Sequence, residues 1–210
     1  MYLKTQRTII RDFYMADVPA LQEIFGDAQT MQYLEPPYDI EKTEKFIREF
    51  CIEKSGAFAI VDQADGKLMG YLLFHLYDGE SETYEIGWVF HKAYWRQGYA
   101  YESCVRMISH AFSEMSVRKI LAETIDPMKS VGLMEKLGMK LERIEKQKTK
   151  DLDGNWTDLY CYSLSKEEYQ AKNNKEGRNY GSKSRNGVPW LFQEPGGRRD
   201  HALADPAGRI

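Results

Sequence analysis

The chain has 210 residues and a formal charge of −3, from 29 Lys and Arg against 32 Asp and Glu. This length fits one domain plus an extension. An apolar fraction of 42% allows a sizeable core and excludes a wholly disordered protein. A pI near 5.9 argues against a dedicated nucleic-acid-binding protein.

The sequence also limits the compartment and the cofactor. No segment approaches the roughly 18 uninterrupted apolar residues of a membrane helix, and the start MYLKTQRTIIRDF lacks the apolar region of a signal peptide. Cys51, Cys104 and Cys161 are too widely spaced for a disulfide framework or a C-x-x-C metal pair. No two His residues have metal-ligand spacing. We therefore expect a cytoplasmic protein without a metal, a membrane or a nucleic-acid partner, acting as a monomer or homodimer.

Hydrophobic periodicity and turn residues predict an alternating order of elements. Asp126 is a good N-cap and Gly138 a good C-cap for a short helix between them. Helices are predicted over residues 16–25, 39–53, 97–115 and 126–138. Strands are predicted over residues 5–11, 57–62, 68–77, 82–91, 119–125, 139–147 and 156–164. This order indicates an α/β domain with a mixed sheet and helices on both faces, in which the helix 97–115 joins two parallel strands.

The C-terminal residues differ in composition from the body. Residues 171–210 carry eight basic and four acidic residues, with one apolar cluster around Trp190 and Phe192. Such a stretch buries too little apolar surface to offset its ordering entropy. We predict a domain over residues 1–166 and a polar, Gly- and Arg-rich extension over 167–210 that is disordered or that docks through Trp190 and Phe192.

The segment EIGWVFHKAYWRQGYAYES, from Glu85 to Ser103, is the most informative stretch. A strand ends there, and Gln97-Gly98-Tyr99-Ala100 opens the long helix. Small residues at a helix N-terminus allow backbone N–H groups to approach an anion such as a pyrophosphate closely. Taken alone, such a turn is more often a packing feature than a binding site.

A second segment, DPMKSVGLMEKLGMKLE from Asp126 to Glu142, comes one strand later. It predicts a helix whose first turn contains Ser130, near the carboxyl end of strand 119–125. Two neighbouring parallel strands that each end at a helix N-terminus form a crevice, and ligands of open α/β sheets bind in such crevices.

Both segments resemble the acetyl-CoA-binding signatures of the GNAT superfamily of N-acetyltransferases, and in particular of its ribosomal-protein N-terminal acetyltransferase-like subgroup. The resemblance covers the body of the chain. It implies a mostly antiparallel central sheet of about six or seven strands, with acetyl-CoA as cosubstrate. Trp95 stands where other branches carry Arg or Gln.

The resemblance implies a role for each matching position. Backbone groups of Val89 and Phe90 would bind the pantetheine arm, Glu85 would be the catalytic carboxylate, and Ser130 would lie beside the thiol and take part in catalysis. The pyrophosphate would be bound by Arg96, Gln97, Gly98, Tyr99 and Ala100.

Two positions depart from the family pattern. Pro127 stands where the family often has Asn, and Met134 stands where the better-known branches carry a Tyr general acid. The thiolate leaving group therefore has no obvious proton donor, and Ser130 or a water is the candidate.

The residues around these motifs leave functional and structural alternatives open. Glu85 lies on the strand face of Thr83, Gly87 and Val89, where it could accept the proton of an amine or simply form a cross-strand ion pair. His75 on the preceding strand is more often a core residue than a base. Aromatic residues that could line an acceptor pocket, yet equally belong to the core, are Tyr33, Tyr38, Phe46 and Trp88.

The sequence thus predicts an acetyl-CoA-dependent N-acetyltransferase that acts by direct attack of a primary amine in a ternary complex. The acceptor is a small amine, an amine antibiotic or a protein N-terminus. A non-catalytic acyl-CoA-binding or regulatory module is the alternative on the same fold. A third reading is an interaction protein that acts through Trp190 and Phe192.

Overall fold

A computed structural model describes residues 1–77, 80–126 and 130–181 of the chain, with side chains up to residue 174. Residues Met1–Asn173 form one compact unit, and Asn174–Ile210 are a second unit, of which only the end of the last helix is described.

The central feature is a single sheet. Within the described residues it has eight strands in the order β1-β2-β3-β4-β5-β6-β8-β7, and all neighbours are antiparallel except the parallel pair β5 and β6. The strands are β1 Tyr2–Lys4, β2 Thr8–Arg11, β3 Ala57–Asp62, β4 Leu68–Leu76, β5 Thr83–Phe90, β6 Lys119–Thr124, β7 Lys140–Lys150 and β8 Trp156–Ser165.

Helices connect these strands. Helix α3 continues as a π-helical segment over Phe46–Glu53, and helix α4 links the two parallel strands. The helices are α1 Val18–Phe25, α2 Ala28–Met31, α3 Ile40–Lys45, α4 Tyr99–Glu114, α5 Ser130–Leu137 and α6 Lys166–Gly181.

Two hydrophobic clusters lie on opposite faces of the sheet. On one face, α4 and α5 bury Met107, Phe112 and Met134 against strands β3 to β6. On the other face, α1 and the π-helical segment bury side chains such as Leu21 and Ile47 against β3 and β4. Alternation along β3 and β5 thus supplies one cluster from the even-numbered residues and the other from the odd-numbered ones, whereas in β4 the parity changes at the register shift opposite Ile60 and Val61.

The predicted fold class is confirmed: the sheet is mixed and mostly antiparallel, with helices on both faces. The sequence pattern missed three elements, namely β1, the four-residue helix α2 and the helix α6. The two short ones carry too few residues for a periodic signal. Helix α6 is polar, yet its Tyr169 ring packs against Phe112 with centroids 5.1 Å apart.

The boundary that we predicted between residues 166 and 167 falls after the first residue of α6, and the compact unit continues to Asn173. Residues 167–181 of the extension, which we predicted to be disordered, are helical within α6, whereas its later residues, with Trp190 and Phe192, lie outside the described residues. In the described part of the chain, no helix is long and apolar enough to cross a membrane. Nor do the described side chains include a group of three or more His, Cys, Asp and Glu that could hold a metal ion.

Candidate active site

A gap between β5 and β6 marks the candidate site. The two parallel strands pair at three positions that end with Glu85 opposite Leu121. Beyond this point β5 continues to Phe90 and β6 to Thr124, and the strands have no further register partners. Backbone groups on the inner edges of the gap are therefore available to a ligand that lies between the strands.

The backbone of β5 alternates between its two neighbours. Tyr77 N–H donates to the Thr83 carbonyl, at 2.8 Å, and His91 N–H donates to the Met69 carbonyl, at 2.9 Å. Odd-numbered residues of β5 therefore bond to β4, and even-numbered residues turn their N–H and C=O groups toward the gap.

This alternation separates the two residues that the sequence proposed for the pantetheine arm. Phe90 directs its backbone into the gap, where its carbonyl accepts a hydrogen bond from Trp95 Nε1 at 2.7 Å. Val89 is opposite Tyr71 and directs its backbone to β4 instead. Trp88, which the sequence did not select for this role, has the same backbone orientation as Phe90.

The N-terminus of α4 follows the gap. Gly98 is the N-cap residue with φ of +86°, a left-handed conformation that glycine adopts without strain, and Arg96 also has a positive φ of +58°. The first N–H groups of a helix have no intrahelical acceptor and lie at the positive end of the helix dipole. Arg96, Gln97 and Gly98 are exposed, whereas Tyr99 and Ala100 are half-buried. The predicted anion-binding residues thus lie in one short, accessible loop.

Arg7 holds this loop, and the sequence analysis missed it. Its guanidinium donates to the Gln97 carbonyl at 3.0 Å and to Glu102 at 2.7 Å, and it lies 4.2 Å above the Tyr99 ring. Glu102 also accepts hydrogen bonds from the Thr5 hydroxyl and from Arg7 N–H. Burial alone would raise the pKa of Glu102, but these hydrogen bonds outweigh it and lower that pKa.

Glu85 lies at the base of the gap, paired across the strands with His75. His75 Nε2 is 3.5 Å from Glu85 Oε2, and its Nδ1 is 2.9 Å from the Leu76 carbonyl. Burial raises the pKa of Glu85, His75 opposes this effect, and the nearby Glu123 carboxylate adds to it. Nδ1 faces a carbonyl oxygen, which can only accept, so Nε2 is the ring nitrogen that faces Glu85.

A polar network lies next to Glu85 on the same face of the sheet. Glu123 accepts a hydrogen bond from the Tyr77 hydroxyl at 3.2 Å and is 3.6 Å from the Arg143 guanidinium. Arg143 also donates to Glu145 at 2.9 Å. The carboxylates of this network are therefore already paired with donors.

Ser130 is the first residue of α5 and is half-buried. Pro127, whose position departs from the family pattern, lies outside the described residues. Met134 is only 1% exposed and belongs to the core cluster under α4. Its side chain thus stabilises packing, and a thioether has no proton to donate.

Comparison with known proteins decides the family. Residues 7–140 match the sequence profile of the acetyltransferase (GNAT) domain. The chain belongs to the GNAT family. It is 33% identical over 172 residues to an uncharacterized N-acetyltransferase, YnaD, of Bacillus subtilis, a match that covers 80% of this chain and 99% of YnaD. The protein is therefore an N-acetyltransferase.

Solved GNAT structures have the same fold. A GNAT acetyltransferase from Bacillus anthracis is 33% identical, with a TM-score of 0.73, over 80% of this chain and 99% of its own. RimL, a ribosomal L7/L12 N-acetyltransferase solved with coenzyme A, is 18% identical with a TM-score of 0.70 over 79% and 98%. A Vibrio cholerae spermidine N-acetyltransferase solved with CoA and spermine is 17% identical with a TM-score of 0.68 over 78% and 98%. GNAT relatives thus bind CoA and use different amines.

The aromatic residues considered for the acceptor pocket of this GNAT protein fall on different sides of the sheet. Trp88 packs against the α4 cluster, on the face opposite Glu85. Tyr38 and Phe46 pack around Phe25 on the same face as Glu85, with ring centroids 4.7 and 5.1 Å from the Phe25 ring. Tyr33 is 45% exposed.

The cysteines of this GNAT chain are free and buried. Burial raises the pKa of Cys51 to about 12 and that of Cys161 to about 11, and it also raises the pKa of Cys104. A nucleophilic cysteine needs a lowered pKa and an accessible sulfur. The three thiols are therefore suited to packing rather than to carrying an acetyl group.

Proposed function

We propose that this GNAT protein transfers an acetyl group from acetyl-CoA to a primary amine by direct attack within a ternary complex. The observation that carries the proposal is the divergence of β5 and β6 beyond Glu85 and Leu121. A thioester in this gap would meet backbone donors along β5 and a carboxylate at its base. This arrangement provides proximity, carbonyl polarisation and a base together.

The cosubstrate would lie along β5 and end at α4. Phe90 and Trp88 would offer backbone groups to the pantetheine arm. Val89 is buried, and its side chain would pack β5 onto the hydrophobic cluster on the Glu85 face. The pyrophosphate would accept hydrogen bonds from five residues of the loop and the first turn of α4, and Arg96 would contribute a cation. These residues are Arg96, Gln97, Gly98, Tyr99 and Ala100.

Glu85 would be the base of the reaction. The amine nitrogen attacks the thioester carbonyl carbon, the C–S bond breaks, and the nitrogen gives up one proton as the amide forms. Glu85 would accept that proton, directly or through a water, and His75 would orient the carboxylate through the contact of 3.5 Å. A carboxylate whose pKa is raised by burial holds this proton better than an exposed one does.

The departing thiolate needs a proton to become CoA. Ser130 is our candidate donor, either through its own hydroxyl or by holding a water, because it opens the helix that follows β6. Met134, at the place of the tyrosine of other branches, is part of the core and offers no proton. The raised pKa of Cys51 and Cys161 supports direct transfer over a covalent acyl-enzyme.

The acceptor would be a small amine or a protein N-terminus. RimL acts on a ribosomal protein and the Vibrio cholerae relative on spermidine, and both have this fold. We expect the protein to act in the cytoplasm, where its buried thiols stay reduced, as a monomer or homodimer.

The test is acetyl-CoA-dependent release of CoA, measured with a panel of amines and N-terminal peptides, for the wild type and Glu85→Gln. We expect release with one class of acceptor and a decrease of about 10²–10⁴-fold in kcat for the variant. Release that the variant leaves unchanged would remove Glu85 from the mechanism. Tight acetyl-CoA binding by calorimetry without release from any acceptor would instead support the non-catalytic acyl-CoA-binding module.

A further inference from the structure

An aromatic groove runs along the π-helical segment Phe46–Glu53. Its volume is about 440 Å³, and its apolar lining comes from Tyr38, Phe46 and Phe50. Phe46 and Phe50 lie with ring centroids 5.3 Å apart, and both are half-buried, so part of each ring faces the groove. Segments of π-helix are rare and occur often at functional sites.

Phe50 connects this groove to the pair of Glu85 and His75. The Phe50 ring meets the His75 imidazole edge-on, with centroids 5.6 Å apart, and His75 Nε2 is 3.5 Å from Glu85 Oε2. Glu85 is therefore separated from the groove by one side chain, His75, whose ring contacts Phe50.

The rim of the groove favours some acceptors over others by its charge. Lys42, Lys45 and Lys54 line it together with a single acid, Glu49. Lys42 is bound to Glu35 at 2.8 Å, and Lys45 is 4.0 Å from Glu49. The rim keeps an excess of positive charge, which disfavours a second ammonium group on the acceptor.

The carboxylates of the polar network around Glu123 do not offset this positive charge. Glu123 is paired with Tyr77 and Arg143, and Glu145 is paired with Arg143 and Lys148, the latter at 2.6 Å. A linear polyamine needs carboxylates that are free to bind its distal ammonium groups. The carboxylates of this network already have cationic or hydroxyl partners.

We propose that the acceptor is a primary amine that carries an aromatic ring or a similarly large apolar group, and that this group binds against Phe46 and Phe50. This proposal rests on the proposed function and names the acceptor class of the same site. The amine is held at Glu85, and the ring replaces water along the groove. Removal of the apolar surface from water then favours this class over a short alkylamine.

The experiment compares 2-phenylethylamine, ethylamine and spermidine as acceptors in the CoA-release assay. We expect kcat/KM for 2-phenylethylamine to exceed that for ethylamine by on the order of 10–100-fold, and to exceed that for spermidine. Phe50→Leu should raise KM for 2-phenylethylamine by a much larger factor than KM for ethylamine. Ile52→Ala, at an exposed position of the same segment, is the matched control and should change neither.

A charge variant tests the same proposal without touching the packing of the rings. Lys45→Glu should raise kcat/KM for spermidine and leave ethylamine unchanged, because Lys45 is an exposed rim residue. A preference for spermidine in the wild type, or an equal effect of Phe50→Leu on all three amines, would overturn the aromatic acceptor.

Direct binding separates this proposal from the proposed function. Calorimetry with 2-phenylethylamine and CoA-saturated protein should show binding that Phe50→Leu weakens and Ile52→Ala does not. If no amine causes release of CoA but this binding pattern is observed, the proposed acetyl transfer is wrong and the groove remains a site for aromatic amines. If CoA is released from other amines while 2-phenylethylamine does not bind, the groove assignment fails and transfer stands.

Discussion

Arg7 and Glu102, which are 95 residues apart in the chain, form an ion pair at 2.7 Å between the loop before β2 and the first turn of α4. The same guanidinium donates to the Gln97 carbonyl at 3.0 Å. The loop that we propose for the pyrophosphate is thereby fixed from outside its own segment. Arg96 has a positive φ of +58°, which costs a non-glycine residue some strain, and such external contacts help to hold the loop in this conformation.

Arg7→Ala should therefore weaken acetyl-CoA binding and leave the chemical step almost intact. Loss of the hydrogen bond to Gln97 and of the partner of Glu102 removes two charge-assisted contacts. We expect KM for acetyl-CoA to rise roughly 10-fold, with KM for the acceptor and kcat little changed. Steady-state kinetics with each substrate varied in turn measures this. Lys4→Ala, an exposed change on the neighbouring β1, is the control; equal KM values in both variants would contradict the role of Arg7.

The pH dependence of the rate should report the ionisation of Glu85. Burial raises the pKa of this carboxyl group, so a base at this position is lost as pH falls through the raised value. The acceptor amine titrates as well, and the ratio of wild-type to Glu85→Gln rates at each pH cancels that contribution. We expect this ratio to fall on the acidic side at a pH above the usual range of an exposed carboxyl group. A ratio that is flat with pH would show that Glu85 is not the base.

The same carboxyl group should cost the fold some stability. Because the pKa of Glu85 is higher in the folded protein than in the unfolded chain, folding favours its protonated form. The favourable contribution is present below the unfolded pKa and is lost as pH rises through the folded pKa. Glu85→Gln should therefore have a higher Tm than the wild type near pH 7.5, and this difference should shrink toward pH 4.

Thermal denaturation at the two pH values measures this effect. Each unit of pKa shift corresponds to about 1.4 kcal/mol in the free energy of unfolding. Glu23→Gln, on the exposed face of α1, provides a carboxylate-to-amide control whose Tm should follow the wild type at both pH values. A lower Tm for Glu85→Gln near pH 7.5 would mean that the pair with His75 stabilises the fold more than burial of the charge costs.

The sequence was most informative where a local rule fixes the backbone. Gly98 and Gly138 were predicted at helix ends, and both have left-handed φ angles, of +86° and +90°. Alternation along β5 also placed Glu85 and Val89 together on the face opposite Trp88. These features depend on residues that are close in the chain.

Features that depend on contacts distant in the chain could not be predicted in this way. The pair of Arg7 and Glu102 arises from the packing of β2 against α4, which no periodicity encodes. The backbone of Phe90 faces the gap and that of Val89 faces β4 because of the register between β4 and β5. A shift of this register by one residue would exchange the two orientations. The aromatic groove likewise needs the packing of the π-helical segment on β4, where Phe46 meets Tyr71 and Phe50 meets His75.

Trp95 lies in the loop between the end of β5 and the start of α4. Its indole N–H donates to the Phe90 carbonyl at 2.7 Å, which is a group that points into the gap between β5 and β6. This bond fixes the end of β5 and the loop before α4, and it also engages an acceptor that a pantetheine amide would otherwise use.

Trp95→Phe keeps the ring and removes only the donor, so the Phe90 carbonyl becomes available while the packing is retained. If the carbonyl binds the cosubstrate, affinity for acetyl-CoA should increase, by about threefold to tenfold for one hydrogen bond. Calorimetric titration with CoA measures this directly, and Tyr94→Phe, which alters a hydroxyl in the same loop, is the matched control. Weaker CoA binding in Trp95→Phe alone would show that the indole hydrogen bond holds the loop in its binding conformation and that the Phe90 carbonyl is not a ligand.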